Sequence, residues 1–258
     1  MAKKQKSSGG QSGKSDAVNV PPFETDALRK NLEIFLDTPF DCSGTCESLK
    51  VGNYKWGVYA FYDYDGEPIY VGQTNELLRT RIRRHLTNQR TDAVAMSVLD
   101  PFEVFEIAVW PLPQYQDVGV KSKKTPQFIK AKAHLDALES LIYRRAIEES
   151  QFKAILNEKD PPASNLAIDE PPSFRQRIVS DEVRDIRSHP DFRNARRALI
   201  ISRLAQVIAE RKVQGGLRRT LLTQAKRLQW LAERRYVALG GETSVTIEGA
   251  DDGDDAEH

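Results

Sequence analysis

The stretch WGVYAFYDYDGEPIYVG, residues 56–72, decides the fold. Trp56 to Tyr62 is aromatic and β-branched, Asp63 to Glu67 carries an Asp-Gly turn signal, and Pro68 to Gly72 resumes strand character. Two such runs joined by so short a polar turn read as a β-hairpin. Each strand brings one tyrosine close to a glycine, as Gly57-Val58-Tyr59 in the first and Tyr70-Val71-Gly72 in the second. Adjacent antiparallel strands can carry two phenols to one face, where they would sit beside one phosphate.

Beyond the hairpin the hydrophobic period changes. Leu77, Leu78, Ile82 and Leu86 recur at helical spacing in a segment crowded with Arg79, Arg81, Arg83, Arg84 and His85, which predicts a basic helix. Arg81 and His85 are four apart and therefore neighbours on one helical face. Phe102 to Leu112 alternates large apolar with acidic residues and then turns continuously apolar, a third strand ending at Pro111. After a loop from Pro113 to Lys124, the apolar positions Phe128, Ala131, Leu135, Leu138, Leu141 and Ile142 predict a long helix from Pro126 to about Phe152, closed off by Pro161-Pro162. Glu139 lies on it among apolar neighbours. That argues for an inward-facing carboxylate, which is costly unless a cation compensates it. Upstream, Leu28, Leu32, Phe35 and Leu36 place an amphipathic helix over Thr25 to Asp37, with Thr25 or Asp26 as its cap. The expected fold class is α+β: a small, mainly antiparallel three-stranded sheet flanked by helices, with a helical C-terminal extension.

The ordered set Gly57-Val58-Tyr59, Tyr70-Val71-Gly72, Gln73-Thr74, Arg81, His85, Glu139 and Asn157 resembles the GIY-YIG nuclease family, over about residues 55 to 160. The resemblance implies a Mg2+-dependent endonuclease acting on DNA, with RNA not excluded, and one ion, Mg2+ or Mn2+, held by Glu139. It makes Tyr59 the base or water-orienting group, Tyr70 and His85 its hydrogen-bonded supports, Arg81 the phosphate clamp and Asn157 a polar support; Asn165 is the rival for that last place. Many relatives carry lysine directly after the second glycine, where this chain has Gln73, so activation of a phenol must fall to His85 or to nobody. The chemistry is coherent. A phenol with a pKa near ~10 becomes a base only if a neighbouring cation or metal-bound water lowers the cost of losing its proton. Arg81 offers planar donors suited to a phosphate gaining charge, and a carboxylate is the hard ligand Mg2+ prefers.

The chain has 258 residues and a formal charge of +1, from 38 Lys and Arg against 37 Asp and Glu, so its total charge names no partner. The distribution is more telling. Residues 173–239 hold sixteen Lys and Arg against six Asp and Glu, in a segment read as two helices separated by Gly215-Gly216, and this basic surface is expected to grip phosphates. The expected nucleic-acid contacts are Gln73, Thr74, Arg79, Arg84, Arg196, Arg197, Arg218 and Arg219.

The boundaries follow composition: a disordered tail over 1–20, the nuclease domain with its leading helix over 21–165, the basic helical extension over 173–240 and a disordered acidic tail over 241–258 that can screen the basic surface. Cys42 and Cys46 lack partners at zinc-site spacing and read as reduced thiols. With no run of eighteen apolar residues, the sequence predicts a soluble, cytoplasmic protein without a membrane partner. Homodimerisation stays open. The expected setting is restriction or host defence, the alternatives being DNA repair or mobile-element cleavage, or a catalytically silent nucleic-acid-binding protein.

Overall fold

The computed structural model describes residues 23–41, 48–87, 98–119, 123–164, 166–213 and 215–242. The expected tails over 1–20 and beyond 242, the pair Cys42 and Cys46, and Asn165 lie outside the described residues.

Among the described residues, six α-helices and two antiparallel sheets follow in the order α1 (Phe23–Asp37), β1 (Pro39–Phe40), β2 (Leu49–Lys50), β3 (Gly57–Tyr62), β4 (Pro68–Thr74), α2 (Leu78–Leu86), β5 (Glu106–Pro111), α3 (Pro126–Glu149), β6 (Phe174–Arg177), α4 (Asp181–Arg187), α5 (Pro190–Glu210) and α6 (Gly215–Ala238). Strands β1 and β2 form a small ribbon of their own. The main sheet has four strands in the order β4-β3-β5-β6, every neighbouring pair antiparallel. This corrects the expected three strands. The fourth comes from Phe174–Arg177, inside the segment read as entirely helical. Four residues of which three are polar or basic give too short a periodic signal, and their strand form rests on pairing with β5 from Glu106↔Arg177 to Val109↔Phe174. Gly215-Gly216 open the last helix rather than separating it from its predecessor.

The hairpin turn is written in its sequence. Asp63 Oδ1 accepts from the backbone N–H of Asp65 at 2.8 Å and of Glu67 at 3.1 Å, and Gly66 takes φ +75°, which a side chain rarely tolerates. Pro68 is accommodated because β4 is an edge strand with one ladder free. Helix α3 starts where Thr125 Oγ1 accepts from Phe128 N at 3.3 Å with Pro126 in its first turn, a cap that stabilises by about 1 kcal/mol.

Both faces of the sheet are covered, so all six residues of β3 are buried. Val58, Ala60, Val71, Ala108 and Trp110 face α3 through Ala131, Leu135, Leu138 and Ile142. Tyr59, Phe61, Ile107 and Val109 face the other way, toward Leu32, Phe35 and Leu36 of α1 and Leu78, Ile82 and Leu86 of α2. Burying each of these leucines contributes roughly 2 kcal/mol. Leu204 of α5 and Leu217 of α6 join this second core, which ties the C-terminal helices to the sheet.

A buried charge cluster reinforces that tie. Asp63 Oδ2 accepts from Arg193 at 3.1 Å, Arg197 at 3.1 Å and Arg227 at 2.7 Å, and Glu103 accepts a further bond from Arg197 Nη2 at 2.8 Å. None of these side chains is more than about a tenth exposed. Desolvation pushes the Arg227 guanidinium below the usual arginine range, opposed by Asp63. Charges so deep are tolerable only because each has opposite charge in contact.

Candidate active site

Strand register places the tyrosines. Tyr59 pairs with Gly72 and Tyr70 pairs with Phe61, two residue pairs apart, so both phenols lie on the face that meets α2. Their rings stack at 6.3 Å with planes 28° apart. The Tyr59 phenol lies across Gly72, where an added Cβ would come within 2.5 Å of the phenol oxygen and 2.6 Å of Cζ. The second glycine of the hairpin is therefore the seat of the first tyrosine.

Helix α2 brings Arg81 and His85 over that seat, one turn apart as their spacing requires. The Tyr59 oxygen lies 2.8 Å from His85 Nε2 and accepts from Arg81 Nε at 3.2 Å. The phenol can donate its hydrogen to His85 Nε2 when the ring proton is on Nδ1, and accepts a second bond from His85 when it is on Nε2. The rings of Tyr70 and His85 lie 5.1 Å apart. Tyr59 is fully buried. Burial, followed by the neighbouring Tyr70, pushes its phenol far above the ordinary range, while Arg81 pulls it back.

Glu139 reaches the same edge of the sheet from the opposite face. Along β4, Gly72 faces Tyr59 and the next residue, Gln73, faces α3. Gln73 Nε2 donates to Glu139 Oε2 at 2.8 Å and to Asp136 Oδ1 at 2.8 Å. Lys132 Nζ ion-pairs with Asp136 and lies 3.4 Å from Gln73 Oε1. Desolvation raises the Glu139 carboxyl to about 7, countered by Lys132 and, from across the strand, by Arg81. Glu139 in turn raises the Tyr59 phenol. The carboxylate and the phenol–guanidinium pair thus share one electrostatic environment, straddling the edge strand at Gly72-Gln73.

Asn157 braces that strand. Its Oδ1 accepts from Val71 N at 3.1 Å and its Nδ2 donates to Val71 O at 2.7 Å, which satisfies the edge between Tyr70 and Gly72. The sequence reading passed over Lys132 and Asp136, although their four- and three-residue steps to one another and to Glu139 put all three on one helical face.

Most of the expected nucleic-acid contacts have partners within the protein. Arg197 is 2% exposed and committed to Glu103 and Asp63. Arg196 makes a paired contact with Asp100 at 2.6 and 2.8 Å and lies 4.0 Å over the Phe102 ring. Arg79 is held by Glu33 and Asp37 of α1, and Arg84 and Arg219 pair with Glu76 and Asp160. The Thr74 hydroxyl is buried and closes a local turn with the backbone of Glu76. Gln73 serves Glu139. A count of basic residues does not see the acids that three-dimensional folding places against them. Of the eight, Arg218 is exposed and makes no ion pair among the described residues.

The sheet thus carries a buried phenol flanked by a guanidinium and an imidazole, with a half-buried carboxylate across one edge strand. Residues 55–116 match the family model of the GIY-YIG catalytic domain. That stretch, 62 of the 258 residues, is similar to the GIY-YIG catalytic domain, a nuclease-type domain whose members are usually endonucleases and generally use a divalent metal ion. No curated protein and no solved structure matches the chain. No helix among the described residues is long and apolar enough to cross a membrane.

The side chains at the edge strand suit such an ion. Glu139 and Asp136 present hard oxygen donors, and an amide nitrogen is drawn in between them. Among the described residues no group of three or more His, Cys, Asp or Glu gathers at this edge or anywhere else, so the site offers two carboxylates and an amide.

Proposed function

We propose that this chain is a Mg2+-dependent endonuclease that hydrolyses DNA phosphodiester bonds at the edge-strand site. The observation that carries the reading is the hydrogen-bonded series Arg81, Tyr59, His85, with Glu139 close enough for its charge to be felt by the phenol. A phenol this buried is a poor resting base, because a phenolate left in place would be badly solvated. The series removes that difficulty. As the Tyr59 oxygen takes a proton from the attacking water, its own proton passes to His85 Nε2, so no separated phenolate builds up. Arg81, its Nε engaged with Tyr59, turns its terminal nitrogens to the phosphate oxygens on which charge grows. Tyr70 packs against His85 and keeps the ring in register, and Asn157 holds the strand beneath both.

Glu139 would hold the ion, and a bound divalent cation supplies charge stabilisation to the departing 3′ oxygen. The product would carry a 5′ phosphate. We assign the activity to restriction or host defence, on the four-residue spacing from Arg81 to His85. The test is incubation of purified protein with plasmid DNA and Mg2+, wild type beside Tyr59→Phe and Glu139→Ala. Cleavage by the wild type and loss in both variants is the expected result; equal cleavage by all three defeats the reading.

A further inference from the structure

A single amide nitrogen occupies a telling place in the site. Gln73 Nε2 sits 2.8 Å from Asp136 Oδ1 and 2.8 Å from Glu139 Oε2, so two carboxylates from successive turns of α3 converge on one donor. Their mutual repulsion is offset by Lys132, which ion-pairs with Asp136 and approaches the oxygen of the same amide. Asp136 is 23% exposed and Lys132 39% exposed at the side chain, so the group opens to solvent on one side. On the other side lies the phosphate-binding Arg81, whose charge reaches Glu139.

We infer that Asp136 and Gln73 join Glu139 in holding the divalent cation, and that Lys132 is the resident positive charge that keeps the two carboxylates together until the ion arrives. The inference rests on the nuclease reading above and enlarges its ligand set. The chemistry of the three side chains supports it. Small divalent cations of this kind take oxygen ligands and usually combine one or two carboxylates with waters and substrate phosphates. The amide of Gln73 has an oxygen and a nitrogen at its two ends, and rotating it end for end directs the oxygen to the point where the nitrogen now sits. Three protein oxygens would then face one place, each from a backbone held rigid by helix or sheet. Lys132 carries the charge that must be displaced: an ammonium beside two carboxylates lowers their repulsion but competes with the incoming cation.

The test is titration of the full-length protein with Mn2+, followed by calorimetry and by the loss of the free-ion electron paramagnetic resonance signal, without DNA. Asp136→Asn and Glu139→Gln are each expected to weaken Mn2+ binding by about tenfold or more, the scale of losing a partner of a bound metal. Lys132→Met is expected to tighten it several-fold, an effect that a merely structural lysine would not give. Circular dichroism confirms that each variant is folded. Wild-type affinity in Asp136→Asn together with loss in Glu139→Gln overturns the enlarged ligand set and leaves the nuclease reading standing. Wild-type affinity in both overturns the two together.

Discussion

The phenolic oxygen of Tyr59 stands 2.8 Å from Nε2 of His85, and the two rings are held 5.6 Å apart by a strand and a helix that are each anchored in the core. On the proposed mechanism the proton moves between them, so the two residues would act as one device. Tyr59→Phe and His85→Ala are each expected to lower the cleavage rate by roughly 10²–10⁴-fold, and the double variant to fall little below the worse single one. Rates on a plasmid at saturating Mg2+ measure this; losses that multiply would show two independent roles.

Gly72→Ala tests the seat of the phenol separately from its chemistry. A methyl group 2.5 Å from the Tyr59 oxygen has to push the ring aside. Loss of cleavage comparable to Tyr59→Phe is expected, with far-ultraviolet circular dichroism unchanged. An active Gly72→Ala would mean that the phenol does not need its present position.

Glu139 gives a pH-dependent stability effect of definite sign. Burial foremost raises its carboxyl from 4.5 to about 7 in the folded chain. Between those values the folded chain keeps a proton that the unfolded chain has lost, so stability falls as pH rises through the window and the full loss is present above 7. Glu139→Gln removes the cost. In EDTA at pH 8 the variant is expected to be more stable than wild type by on the order of 1–2 kcal/mol, after discounting for partial exposure, and at pH 4 the two are expected to unfold alike. Thermal melts at both pH values decide it. A less stable Glu139→Gln at pH 8 contradicts the burial argument.

Arg197 and Arg218 were indistinguishable as bases in a helical segment, and the fold separates them. Arg218→Ala is expected to weaken DNA binding and reduce the salt dependence by about one counterion if it meets a phosphate. Arg197→Ala is expected to leave DNA affinity alone and to lower the urea midpoint, because Glu103 and Asp63 lose a buried partner. The same effects exchanged between the two would reverse this assignment.

Asp63→Ala leaves three guanidiniums buried around a missing carboxylate and is expected to cost about 3–5 kcal/mol. Asp63→Asn keeps the turn bonds from Asp65 and Glu67 and loses only the charge, so the difference between the two variants in urea unfolding isolates the turn from the clamp.

What could be read from residue order was whatever is local. The hairpin needs only its alternating strands and the Asp-Gly turn, α2 and α3 need only their apolar period, and Arg81 meets His85 because four residues make about one helical turn. Those features carried Tyr59, Arg81, His85 and Glu139 to the right elements. What stayed hidden depends on distant partners. Phe174–Arg177 is a strand because β5 offers it a ladder, and no periodicity in four residues announces that. Arg79, Arg196 and Arg197 looked like substrate contacts because Glu33, Asp100 and Glu103 lie about 45 to 95 positions away in the chain. Gln73 looked like a missing lysine, whereas Lys132 stands beside its amide from another element.

The reach from Asp63 to Arg227 also orders events during synthesis. A ribosome that has released the tyrosine hairpin, which ends at Thr74, must still add 153 residues before Arg227 reaches the carboxylate. The strand that closes the sheet at Phe174–Arg177 is likewise made late. Chains still being translated hold Tyr59 and Tyr70 without the charge cluster and the fourth strand that fix them, so the framework of the site is completed near the end of elongation.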